Sequence, residues 1–187
     1  MTYFLSLGSN LGDKRRNLKR AIGHLKNASV RILRASSLYQ TQPVGNTDQP
    51  WFVNQAVEVE TDRTPWALLV LLQSIEKKMG RTKTIRNGPR LIDLDILLAA
   101  DTIMDTPDLV IPHPRMAARN FVLVPLCEIA PDVLHPVLGK PAAALLAESY
   151  DRSAVHKIGR WSSRSRPSEP RQEIGSFSKT HSRNGGS

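Results

Sequence analysis

RNGPRLIDLDILL, residues 86–98, sets Asp93 and Asp95 inside an otherwise apolar run. In a strand successive side chains alternate, so Ile92, Leu94 and Ile96 point one way and the two acids the other, about 7 Å apart along the strand. Two unscreened carboxylates on one face repel each other unless water or a cation surrounds them. A solvated edge strand with outward acids meets that condition, and so does a cation site. The residues just upstream favour the cation site, because Lys77, Lys78, Arg81, Lys83, Arg86 and Arg90 face only Glu76 between positions 76 and 90. Hard carboxylates beside a basic loop suit Mg²⁺ and a polyphosphate, since magnesium takes one or two carboxylates and leaves its other positions to water and phosphate oxygens.

Working outward, the run over 91–99 reads as the last strand of a longer alternation. Residues 2–7, TYFLSL, read as a strand, followed by turn residues GSNLGD with Asp13 as helix N-cap. Leu18, Ala21, Ile22 and Leu25 recur at helical spacing, which predicts a helix over 14–27. A strand follows at 30–39, then a loop containing Thr41, Pro43, Gly45 and Pro50. Over 52–60, Val53, Gln55, Val57 and Val59 share one face of a strand and Asn54, Ala56 and Glu58 the other. Thr64 caps and Pro65 starts a second helix with the stripe Leu68, Leu71, Leu72, Ile75 and Met79, ending at Gly80. Strand, helix, strand, strand, helix, strand is an α+β, ferredoxin-like βαββαβ order, an antiparallel sheet with helices on one face. Beyond residue 100 the expectation is a further strand near 101–111, a helical piece around 114–119 and a terminal helix within 141–149.

The chain has 187 residues and a net charge of +9, enough for one domain with a real core. The expected boundary is residue 150, with 151–187 a basic Ser/Arg-rich tail of eight Lys or Arg against three acids, expected to be disordered. From about Arg160 the tail is rich in Ser, Arg, Pro and Gly, the composition behind that expectation. A single cysteine, Cys127, excludes an internal disulfide. The start, MTYFLSLGSN, lacks a basic leader and its apolar run stops at Gly8, so the expected location is the cytoplasm, with no membrane contact.

Known phosphate devices fail. GSNLGDK does not meet G-x-x-x-x-G-K-[ST], because Asp13 separates Gly12 from Lys14, and no G-x-G-x-x-G follows a strand. Triphosphate binding must then rest on a metal and side-chain cations.

RNGPRLIDLDIL, with LSLGSNLGD, SLYQTQPVG, QPWFVNQAVEVET and IPHPRMAARNFVLVPLCEIAP, resembles the 6-hydroxymethyl-7,8-dihydropterin pyrophosphokinase family of folate biosynthesis, over about residues 1–140. The resemblance implies transfer of pyrophosphate from ATP to a reduced pterin, two Mg²⁺ ions, a ferredoxin-like core and a monomer without a specific nucleic-acid partner. It implies that Asp93 and Asp95 ligate the metal and that Arg81 and Arg90 close over the phosphates, with Lys83 at a basic position. Gln73, Glu76, Ile96, His113 and Arg119 match positions around ATP. Thr41, Pro43, Val44 and Asn54 match the pterin edge, and Phe52 and Phe121 the two aromatic positions that sandwich the ring. Arg115 has no trusted counterpart.

Some positions depart from the family pattern. Phe52 stands where Tyr is common, Asn87 where Trp is common and Asp108 where an arginine can assist, and the 80–88 loop is a residue short. These departures bear on closure of the 80–90 loop, the expected lid, and on ATP affinity. A basic ferredoxin-like sheet also fits an RNA-binding module, but such a module presents aromatics where this strand presents carboxylates. An inactive paralogue with the same fold stays open.

Overall fold

β1 (Thr2–Ser9) is paired on both sides, antiparallel to β4 (Phe52–Glu60) and to β5 (Asp93–Ala99). The computed structural model describes residues 1–45, 47–81 and 88–160. Lys83, Arg86, Asn87, most of the expected lid and the tail from residue 161 lie outside the described residues. α1 (Lys14–Asn27) follows β1, with Asp13 Oδ1 accepting from Arg16 N. β2 (Arg31–Ala35) and β3 (Leu38–Thr41) then run along β4 in turn, both antiparallel. α2 (Pro65–Lys78) is capped by Thr64, and β10 (Val155–Gly159) pairs with β3 at the edge. The order across the sheet is β10-β3-β4-β1-β5, with β2 also on β4.

Where the sequence predicts one strand over 30–39 there are two. Ser36 and Ser37 interrupt it: Ser36 Oγ accepts from Ala56 N, and Ser37 donates from both N and Oγ to Glu128. The hydroxyls replace ladder bonds, so the chain bends without leaving a buried polar group unpaired. The strand expected near 101–111 is a small hairpin of β6 (Met104–Asp105) and β7 (Val110–Ile111). A 3₁₀ turn at Met116–Ala118 precedes α3 (Asn120–Ile129). β8 (Leu134–His135), β9 (Lys140–Pro141) and α4 (Ala142–Ala147) lie between α3 and β10.

Tyr3, Leu5 and Leu7 of β1, with Val57, Val59, Leu94 and Ile96, form one core with Leu18, Ile22 and Leu25 of α1 and Leu68, Leu72 and Ile75 of α2. α1 and α2 share one face, while α3, a helix the sequence reading does not predict, covers the opposite face. Its Val122, Leu126 and Ile129 pack with Phe4, Ala56 and Leu97 in a second core. α3 is hidden in the sequence by Val122, Val124 and an interior Pro125, all unfavourable to helix. Burial of its apolar stripe on the sheet overrides those preferences. The sheet also continues past residue 150, since β10 occupies an edge position out to Gly159. No helix among the described residues is long and apolar enough to cross a membrane.

Candidate active site

The face of the sheet that meets α3 thins out at one end. Along β1 it carries Phe4, then Ser6, then Gly8; opposite these stand Glu58, Ala56 and Asn54 on β4, and Leu98, Asp95 and Asp93 on β5. Small and polar side chains there leave space between the sheet and the start of α3. The result is a cavity of ≈ 260 Å³. It brings together ten residues expected from the sequence: Thr41, Val44, Phe52, Asn54, Arg81, Arg90, Asp93, Asp95, Arg119 and Phe121. Ser6, Gly8 and Arg115 also line it.

One end of the cavity is aromatic and amide-lined. Asn54 is buried, and its Nδ2 donates to Thr41 Oγ1 at 2.6 Å. Its Oδ1 lies only 2.6 Å from where a Cβ on Gly8 would sit, so the absence of a side chain at Gly8 gives Asn54 its place. Pro43 is buried beside this end but does not line the cavity, while Val44 is largely exposed at its mouth.

The other end is charged. Arg81 Nη1 is 2.9 Å from Asp93 Oδ1, and Arg90 Nη1 is 2.8 Å from Asp93 Oδ2. The Asp95 carboxylate accepts no hydrogen bond among the described residues. Burial, with the charges of Asp93 and Glu76, pushes its carboxyl up to about 7, against the pull of Arg81 and Arg119. The Arg119 guanidinium sits over the Phe121 ring, 5.3 Å from its centroid. Burial and neighbouring Arg115 draw Arg119 below its ordinary value. Arg115 and Arg119 have no anionic hydrogen-bond partner among the described residues, so two guanidiniums border a cavity whose nearest acids are Asp93 and Asp95.

Glu76, expected near the nucleotide, lines neither this cavity nor the hollow described next. It is buried behind the site, where its Oε1 accepts from Leu94 N at 2.8 Å and also pairs with Arg81. It therefore ties the end of α2 to β5 and aims Arg81 at Asp93. Burial raises its pKa, opposed by Arg81 and by the Leu94 hydrogen bond. Gln73 is exposed on α2 and lines neither this cavity nor the hollow described next.

A second hollow of ≈ 200 Å³ shares Asp95 and is lined by Leu69, Ile96, Asp108, Leu109 and His113. Ile96 and His113, expected near ATP, meet here. His113 Nδ1 accepts from Arg115 N at 3.2 Å, and burial with Arg119 and Arg115 pushes its pKa down to about 4, so the ring is neutral and Nε2 carries the proton.

The LGSN turn contributes through Asn10, whose role its sequence does not announce. Its Oδ1 accepts from Arg90 N at 2.7 Å, its own N donates to Arg90 O, and its Nδ2 donates to Pro50 O. One buried amide thus fixes the segment carrying Arg90 against the loop that leads to Phe52.

A family model described as 7,8-dihydro-6-hydroxymethylpterin-pyrophosphokinase (HPPK) matches residues 4–131. A relative from Bacillus subtilis, named 2-amino-4-hydroxy-6-hydroxymethyldihydropteridine pyrophosphokinase, is 47% identical over 131 residues, covering 70% of this chain and 78% of its own. One of the same name from Methylorubrum extorquens is 41% identical over 156 residues, 83% of this chain and 97% of its own. Among solved structures, Plasmodium falciparum HPPK-DHPS with pteroate is similar in fold, with a TM-score of 0.65 at 18% sequence identity, covering 79% of this chain. This chain spans only 42% of the length of that one.

Proposed function

The chain belongs to the 7,8-dihydro-6-hydroxymethylpterin-pyrophosphokinase family, and from that premise we propose that it transfers the pyrophosphoryl group of ATP to the hydroxymethyl group of 6-hydroxymethyl-7,8-dihydropterin in folate biosynthesis. The substrate oxygen attacks the β-phosphorus, the bond from that phosphorus to the α-phosphate oxygen breaks, AMP leaves and the hydroxyl proton is lost. The observation that carries this reading is a single cavity lined by a buried amide, two phenylalanines, two carboxylates and four arginines. The strand order β3-β4-β1-β5 with α1 and α2 on one face supports a ferredoxin-like core.

At the ring end, Asn54 gives its N–H to Thr41 and keeps Oδ1 to accept from the donor edge of an aminopyrimidinone. Phe52 and Phe121 offer flat apolar area to the ring faces. At the charged end the donor set fits magnesium: Asp95 is a carboxylate without a hydrogen bond facing the cavity, and Asp93 stands beside it on the same strand face. Among the described residues no three His, Cys, Asp or Glu side chains group closely enough to hold a metal ion by themselves. A two-carboxylate site completed by phosphate and water oxygens matches the habit of Mg²⁺. Bound there, a divalent cation would acidify the attacking alcohol and screen charge at the phosphorus.

The protein's own part is neutralisation and alignment. Arg81 and Arg90 hold Asp93 and become available to phosphate once another cation takes that carboxylate. Arg115 and Arg119, without an anionic partner among the described residues, can grip phosphate oxygens, two at a time. The second hollow, apolar at Leu69 and Ile96 and bordered by neutral His113, suits the nucleoside end of ATP.

The test is AMP formation from ATP and the reduced pterin. The wild type is expected to produce AMP only with Mg²⁺, and Asp95→Ala is expected to lower turnover by at least about 100-fold. A folded wild type that binds both ligands but makes no AMP would show an inactive paralogue. AMP formation that persists in Asp95→Ala would refute the role of the acid pair.

A further inference from the structure

Residues 151–159 line neither hollow, yet they touch both walls of the ring end of the cavity. On one side, Asp151 Oδ2 accepts from Asn120 N at 2.7 Å, and Asp151 O accepts from Asn120 Nδ2 at 2.7 Å. Asn120 is the first residue of α3 and lies between Arg119 and Phe121, both on the cavity wall. Asp151 is itself held, since its Oδ1 accepts from Ser153 N and Oγ. On the other side, Ala154 O accepts from Gln42 N at 3.0 Å, and Val155 stands opposite Thr41 in the β10–β3 ladder. One residue on, the His156 ring stacks on Trp51, with centroids 5.9 Å apart and planes inclined by 6°. Trp51 precedes Phe52, and its carbonyl accepts from Lys14 Nζ at 2.6 Å. Farther along, Arg15 Nη2 donates to Ile158 O at 3.1 Å, securing the strand end to α1.

We propose that residues 151–159 form a strap that sets the separation of the two aromatic walls, with Asp151 and His156 as positioning residues for pterin affinity. Asp151 acts on the Phe121 wall by fixing the first peptide of α3, and His156 acts on the Phe52 wall by bracing Trp51. Neither side chain touches the ligand. The slot admits a flat ring without searching among widths because the strap holds both sides at once, so ordering is completed before the ligand arrives. The inference rests on the proposed pterin chemistry and adds to it a structural source of affinity for that substrate.

Full-length His156→Ala, His156→Phe, Asp151→Ala and Asp151→Asn variants test this, read as KM for the pterin, kcat, and direct pterin binding followed by its fluorescence. His156→Ala is expected to raise the pterin KM and Kd about five-fold with kcat within about two-fold, because it removes only a stack. His156→Phe keeps a stacking ring and is expected to restore wild-type values. Asp151→Ala is expected to raise them about ten-fold, and Asp151→Asn, which keeps an oxygen to accept from Asn120 N, to recover most of that loss. Unchanged pterin KM in His156→Ala overturns the proposal, as does a His156→Phe variant no better than His156→Ala. A lower melting temperature with unchanged KM would mean a merely structural strand and also overturns it. If Asp151→Ala does not fold, the His156 pair decides. A wild type that neither binds nor turns over the pterin instead overturns the functional reading, and the strap's role with it.

Discussion

Gly8 shows how a residue without a side chain can control one with chemistry. A Cβ at this position would meet Asn54 Oδ1 at 2.6 Å, a separation that real atoms do not keep. The Asn54 amide would have to swing away, and with it the acceptor offered to the pterin edge. Gly8→Ala is therefore expected to raise the pterin KM by at least about ten-fold while leaving the KM for ATP nearly unchanged, a comparison that steady-state kinetics with each substrate varied in turn will make. Arg115→Ala is expected to do the reverse. It removes a guanidinium that carries no ion pair among the described residues, so stability should hold while the ATP KM rises about ten-fold, and a salt dependence of binding shallower than in the wild type would accompany it. Of these two, neither was legible as a site residue in the sequence. Gly8 reads as the start of a turn, and Arg115 as one more cation between prolines and alanines. Strand alternation alone puts Asp93 and Asp95 on one face, and the resemblance, not alternation, singled out Asn54; that all three line one cavity depends on the pairing of β4 and β5 with β1, and the burial of Glu76 depends on a reach to Leu94 N that its helix position does not announce.

Glu128 does for the elements what Asn10 does for the loops. From α3 it accepts from Ser37 N and Oγ, from the Tyr39 hydroxyl and from Lys157 Nζ, joining a helix to β3 and β10. Burial works against its charge, but the hydrogen bonds from Tyr39, Lys157 and Ser37 outweigh that and draw its carboxyl from 4.5 to about 2. A carboxyl depressed in the folded state stabilises the fold above its unfolded value and loses that contribution as pH falls through the folded one. The contribution should thus be complete above about pH 5 and vanish toward about pH 2. Urea denaturation of the wild type and Glu128→Gln over that range checks it: the difference between them should shrink as the solution is acidified. The strands and first two helices were legible because caps and apolar spacing agree, as at Thr64, Pro65 and Leu68. α3 was not, since its β-branched residues and Pro125 oppose the state that tertiary burial imposes, and the break at Ser36 and Ser37 depends on a glutamate 91 residues away.

At the scale of the molecule, one sheet separates two cores of different purpose. The face under α1 and α2 is filled by Leu5, Leu7, Leu68 and Leu72 and packs the sheet against two helices. The other is filled only partway, by Phe4, Ala56, Val122 and Leu126, and the unfilled end is the site. That division could not be read from composition, because it depends on a helix the sequence conceals and on an edge strand drawn from a segment whose charge suggests a tail. Asp95 stands on the border of both hollows. Whatever settles in either one and changes the charge state of that carboxyl alters the free energy of filling the other, and by thermodynamic reciprocity each occupant must shift its companion's affinity by the same factor.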